Sequence, residues 1–275
     1  MCIRDRRINI SDVRDVYSLR YLVRGQDFLF NLAGQTSHLD SMNDPYADLE
    51  INCRSQLALL ETCRKENPSI KLVFASTRQV YGQPRYLPVD EKHPVCPVDV
   101  NGINKMAGES YHILYNNVHG VRACVLRLTN TYGPRMRIKD ARQTFVGIWI
   151  RSAIEHSAFE VWGGEQLRDF NYVDDVVEAL LLAAGSRKAD GKIYNLGSSE
   201  VVSLKQLAEM IALLYPGATY KLKAFPPERK KIDIGSYYSD YSLATRELKW
   251  APGESLRDGL GKTLAFFAAN LEHYT

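Results

Sequence analysis

Asn101 and Lys105 stand four residues apart at the start of a predicted helix over residues 99–117, so their side chains share one face. Taken alone, a helical lysine is usually a solvated charge. Ser76 and Thr77 close an apolar run at residues 70–75. Hydroxyls at a strand end can bond a substrate oxygen, and they serve as readily in a cap or turn. A second apolar run ends in Asn31-Leu32-Ala33-Gly34-Gln35. Small residues there let a ligand approach the backbone at the carboxyl edge of a parallel sheet; a tight turn is their commoner use.

The elements that must position these groups alternate along the chain. Strands are predicted at residues 27–32, 70–75 and 121–128. Helices are predicted at residues 46–66, opened by Asp44-Pro45, and 99–117, stopped by His119-Gly120. Such alternation argues for a parallel sheet covered by helices. Beyond Gly133-Pro134 come helix 144–156, strand 159–162, helix 173–184, strand 192–196, a Ser203-capped helix to residue 215, strand 218–223 and helix 255–270. We therefore expect an α/β chain of two lobes, residues 1–134 and 135–275, with the segment near 192–198 returning to the first sheet.

The composition narrows the function classes. With 35 basic and 32 acidic residues the net charge is +3, too balanced to argue for nucleic acid or a membrane surface. No apolar run approaches the length of a membrane span. Five scattered cysteines without a CxxC pair suit reduced thiols and a cytoplasmic protein. The six histidines show no metal-ligand spacing, and no metal is expected. The short charged start, Met1 to Arg7, does not read as a signal peptide. The aromatic group Tyr237, Tyr238 and Tyr241 could stack on a base but is more often packing. The basic run 229–231 reads equally as a diphosphate contact or a solvated loop.

Five ordered segments carry a resemblance: residues 74–82 (FASTRQVYG), 101–109 (NGINKMAGE), 126–134 (LRLTNTYGP), 168–175 (RDFNYVDD) and 194–198 (YNLGS). Together they resemble the sugar-nucleotide epimerases and dehydratases of the extended short-chain dehydrogenase family, from about residue 8 to the end. The resemblance implies a Rossmann-like sheet that binds NAD, a smaller lobe that binds a nucleotide-diphosphate sugar, and transient hydride transfer. It implies that Thr77 bonds the reacting hydroxyl, that Lys105 meets the nicotinamide ribose, and that Ala33, Gly34 and Asn52 lie against the cofactor. It implies that Asn130 and Arg168 touch the substrate, with Lys230 where a second arginine is common and Asp233 where an acid meets the nucleotide ribose. It also implies a homodimer through the 46–66 and 99–117 helices. Thr77, Lys105, Asn130 and Arg168 are expected to converge on one cleft.

Three departures shape the expectations. The family's Gly-x-x-Gly-x-x-Gly turn, which cradles the pyrophosphate, does not occur; the sheet is expected to lack its first βαβ unit, roughly 50 residues in all. These 275 residues are accordingly expected to bind NAD weakly or not at all. Asn101 stands where the family keeps its catalytic tyrosine, and an amide is no base near neutral pH. Lys105 acting through a water, Tyr132 swinging in, or a silent sugar-nucleotide binding protein are the readings this leaves, with an NAD(P)-dependent reductase as a further one. Arg78-Gln79 replaces the Asp-Glu of the dehydratases, which argues against water elimination.

Overall fold

The computed structural model describes residues 7–140 and 144–275. Cys2 and the charged start through Arg6 lie outside the described residues, as does the side chain of Arg229. The chain opens with α1 (Val16–Val23), β1 (Phe28–Asn31), α2 (His38–Asn43) and α3 (Pro45–Leu49). A π turn (Glu50–Arg54) leads to α4 (Ser55–Glu66), then β2 (Lys71–Thr77), a 3-10 turn (Arg78–Tyr81), α5 (Val100–His119) and β3 (Ala123–Leu128). There follow β4 (Asn130–Tyr132), α6 (Phe145–Ile154), β5 (Phe159–Trp162), β6 (Leu167–Tyr172), α7 (Val173–Gly185), β7 (Ile193–Asn195), β8 (Val201–Ser203), α8 (Leu204–Leu214) and β9 (Tyr220–Lys223). The chain closes with α9 (Pro227–Lys230), α10 (Ser242–Leu248) and α11 (Leu256–Asn270).

The first sheet has the order β1-β2-β3-β7, all parallel. Leu72, Val73 and Phe74 of β2 and Ala123 to Leu126 of β3 are fully buried, because parallel strands are covered on both faces. One face packs Leu72 and Ala123 against Leu19 of α1, Leu59 and Leu60 of α4 and Tyr115 of α5. The other packs Val73, Cys124 and Leu126 against Val176, Ala179 and Leu180 of α7. The sheet is Rossmann-like, and β1 is its edge strand, with Phe28 and Phe30 exposed beside Leu32. The segment 192–196 supplies β7, paired with β3 through Val125 and Ile193.

Three small pairings make up the rest. β6 lies between β4 and β8, and β5 pairs with β9. Their core joins Trp149, Ile150 and Phe159 to Leu207 and Ile211 of α8 and Leu260 and Phe267 of α11. α8 begins with a full capping box between Ser203 and Gln206, the signal that Ser203 gave in sequence. Neither β4 nor β6 was expected. Arg168 and Asp169 interrupt the apolar pattern of β6, and both are buried.

The helix expected at residues 46–66 is divided. The π turn between α3 and α4 widens the helix around Asn52, which is completely buried. Such turns rotate one residue out of the regular ladder and are common at functional sites. α5 begins where Asp99 accepts the Gly102 amide at 2.7 Å and ends at Gly120, whose φ of 69° only glycine adopts cheaply.

Candidate active site

The end of β1, the π turn and the start of α5 meet around one carboxylate. The Gln35 carbonyl accepts Nδ2 of Asn52 at 2.9 Å and Nδ2 of Asn101 at 2.7 Å. The same amides reach Oδ2 of Asp48 at 3.0 and 3.1 Å, while Asn104 donates to Oδ1 at 2.8 Å. The Ser41 hydroxyl also donates to Asp48, which is fully buried. Sequence reading missed Asp48. A lone acid on an amphipathic helix looks solvated, and only its four-residue spacing from Asn52 hinted otherwise.

One turn beyond Asn101, the Lys105 amine donates to the Ala75 carbonyl at 3.0 Å and lies 4.8 Å from the Phe74 ring centre. Burial pushes this amine down to about 8, against the pull of Asp48 and Glu109. Gly34 closes the group. A Cβ there would sit 2.9 Å from both Lys105 Nζ and Asn52 Oδ1, so a larger residue would have to displace these side-chain ends. Asn52 Oδ1 is buried and unbonded, an acceptor held in reserve. Gly34, Asn52 and Lys105 together offer an acceptor and an amine that could hold part of a bound NAD. Ala33 lies exposed beside Gly34, on the open side of β1. A diphosphate cradle of the Gly-x-x-Gly-x-x-Gly kind is not among these residues.

Asn101 spends both amide hydrogens inward, on Gln35 and Asp48. Tyr132, considered in sequence as a mobile base, is corrected. It is 1% exposed, its hydroxyl faces the Leu256 carbonyl at 3.4 Å, and burial pushes its pKa up. Any Cβ at Gly259 would strike that hydroxyl at 2.3 Å, so the ring is packed in place.

The end of β2 leads to a second group. Thr77 accepts the Gln79 amide at 3.2 Å, leaving its hydroxyl proton for another acceptor. Arg78 and Gln79 then line a cavity of about 590 Å³ with Arg168, Asp233 and the apolar walls of Phe145, Trp149, Trp162 and Phe225. Arg168 is buried; it donates to the carbonyls of Leu167 and Gly235 and meets Asp233 at 3.3 Å. Burial and the neighbouring Arg78 charge push its pKa down to about 10, against Asp233 and Asp169. Asn130, opposite Phe170 in the β4–β6 pair, donates to the Asp169 carbonyl at 3.0 Å. Lys230 is exposed and shares an adjoining depression with Asp233.

The expected convergence on one cleft is not borne out by the cavity: of Thr77, Lys105, Asn130 and Arg168, only Arg168 lines it. Arg168 and Asp233 line the cavity; Lys105 and Asn130 do not, because their donors are turned onto the carbonyls of Ala75 and Asp169. Thr77 joins the two groups along β2. Arg127, within the 126–134 motif, lies in the interior. It is buried against Glu109, with Nη2 at 2.6 Å, and donates to the Tyr81 hydroxyl at 2.7 Å. It fastens α5 to β3, and removing one partner of such a pair costs about 3–5 kcal/mol. Tyr237 is packing: fully buried, with its ring 6.2 Å from that of Tyr81.

A Rossmann-like parallel sheet with an arginine-lined cavity in the adjoining layer is a fold shared with nucleotide-binding proteins. Residues 2–197 match the NAD dependent epimerase/dehydratase family, and the chain belongs to that family. It is 30% identical over 268 residues to a putative UDP-glucose 4-epimerase of Methanocaldococcus jannaschii, covering 97% of this chain and 81% of that one. It is 31% identical over 258 residues to UDP-glucuronic acid decarboxylase 1 of Xenopus tropicalis, covering 90% of this chain and 58% of that one. Among solved structures, UDP-glucose 4-epimerase of Thermotoga maritima with UDP-glucose superposes with a TM-score of 0.87 at 28% identity, over 95% of this chain and 84% of that one.

Proposed function

We propose that the chain is an NAD-dependent sugar-nucleotide epimerase acting by transient hydride transfer, with Lys105 moving the proton that Asn101 cannot. The observation that carries this reading is the continuity of β2. Its Ala75 carbonyl holds Lys105, Thr77 follows, and Arg78 opens the cavity that contains Arg168. Bound NAD supplies a hydride acceptor and donor, held at its ribose end by Ala33, Gly34, Asn52 and Lys105. Thr77 orients the sugar hydroxyl, and the lowered Lys105 amine takes its proton through a water. Arg168 and Lys230 neutralise the diphosphate of a nucleotide-linked sugar, Asp233 meets the nucleotide ribose, and Asn130 the sugar. The relatives named for UDP-glucose epimerisation support this substrate class. Arg78 and Gln79 supply no carboxyl group for dehydration.

Turnover of UDP-sugars with added NAD tests the proposal. Activity is expected to rise with pH through about 8, because the working form of Lys105 is deprotonated. Lys105→Met is expected to lose about 10²–10⁴-fold. A flat profile, or a variant as active as the parent, would overturn the assignment. A second reading, binding without turnover, is favoured by the full use of the Asn101 amide; tight sugar-nucleotide binding with no product would decide for it. Pairing of two chains through α4 and α5 is also proposed, supported by exposed Ile103, Leu114 and Val118 on α5. Sedimentation as a monomer would exclude it.

A further inference from the structure

Among the described residues, Arg78 is the cavity-lining cation without an ion-pair partner. Its Nε is buried without a hydrogen-bond partner, and it forms no ion pair with the described residues. Its guanidinium lies 5.6 Å from the centre of the buried Tyr237 ring, which fixes it from one side. Asp233 and Asp169 act on it only at a distance, and each is engaged elsewhere. Asp233 meets Arg168 and the Gly235 amide; Asp169 takes Thr129 and the Ser239 amide. Burial accordingly lowers the pKa of Arg78, the mark of a cation held without a counterion. Leaving a charged donor unmet in an aromatic-walled cavity is costly unless a ligand meets it.

A neutral sugar nucleotide would bring a single anionic group, and Arg168 with Lys230 already provides for a diphosphate. We propose that Arg78 pairs with a second anion of the ligand, a carboxylate on the sugar, and so makes the cavity selective for a uronic acid nucleotide. The placement agrees: Arg78 follows directly on Thr77, the residue assigned to the sugar hydroxyl, whereas the diphosphate residues lie on β6 and at the end of α9. A planar guanidinium matches a carboxylate in two parallel hydrogen bonds, which hydroxyls cannot reproduce. The inference rests on the sugar-nucleotide reading above and deepens it.

Calorimetric titration of the 275-residue chain with UDP, UDP-glucose and UDP-glucuronate tests it. UDP-glucuronate is expected to bind about ten- to hundredfold more tightly than UDP-glucose, the range of a hydrogen bond to a charged group. Arg78→Met should bring that ratio close to unity, and Arg78→Lys should keep part of it. If Arg78→Met fails to fold, the ratio in the parent chain still decides. No preference in the parent, or a preference that survives Arg78→Met, would overturn the proposal. So would an equal loss of UDP and UDP-glucuronate affinity in Arg78→Met, which would put the guanidinium on the diphosphate. Failure of all three ligands to bind would instead refute the sugar-nucleotide reading, and this inference with it.

Discussion

The cluster around Asp48 and the cavity around Arg168 are neighbours joined by one strand, yet they keep opposite hydrogen-bond accounts. Around Asp48 the Asn101 and Asn104 donors and the Gln35 acceptor are met within the protein, and Asn52 Oδ1 alone is left over. Around Arg168 the cationic donors outnumber what the protein offers them, and Arg78 Nε has no partner. A saturated network fixes geometry; an unsaturated one receives a ligand. On this comparison we assign Asn101 to the frame and not to the chemistry, and propose the arginines as the receptor.

The sharpest way to break the comparison is at the receptor. Arg168→Ala is expected to weaken sugar-nucleotide binding by about 2–5 kcal/mol, the cost of truncating one member of a buried charge pair. Titration calorimetry with UDP measures it. Unchanged affinity would show that the cavity is not the receptor.

A smaller effect is expected in the frame. Asn101→Tyr reinstates the phenol of the family pattern, but a phenol has one proton where the amide spends two on Gln35 and Asp48. The variant should lose about 1–3 kcal/mol of stability, the cost of a buried polar group left unmet, and should not gain turnover. Urea denaturation and a UDP-sugar assay check both halves. A stable variant with raised activity would return position 101 to the chemistry.

Much of the frame was legible in the sequence, because strands buried on both faces and capped helices leave local marks. The apolar runs of β2 and β3, the Gly120 stop of α5 and the Ser203 cap of α8 are of that kind. The π turn was not, since no side chain announces a widened helix. β6 was hidden because Arg168 and Asp169 break its apolar pattern, and they are buried only through partners distant in sequence. The motifs named residues that the fold divides between a buried network and a cavity, and they did not show that division. Arg127, conspicuous in its motif, pairs with Glu109 in the interior, whereas Asp48 and Arg78 acquire their importance only from what surrounds them. Arg78 had been read for the carboxylate it replaces, not for the charge it adds.

The central claim, that a saturated frame presents Lys105 beside an anion-receiving cavity, is tested most directly by a crystal structure of this chain with UDP. The account predicts the diphosphate within hydrogen-bond distance of the Arg168 guanidinium, with Lys105 still on the Ala75 carbonyl and Asn101 still on Asp48. Phosphates bound away from Arg168, or an Asn101 side chain turned out toward the ligand, would contradict it.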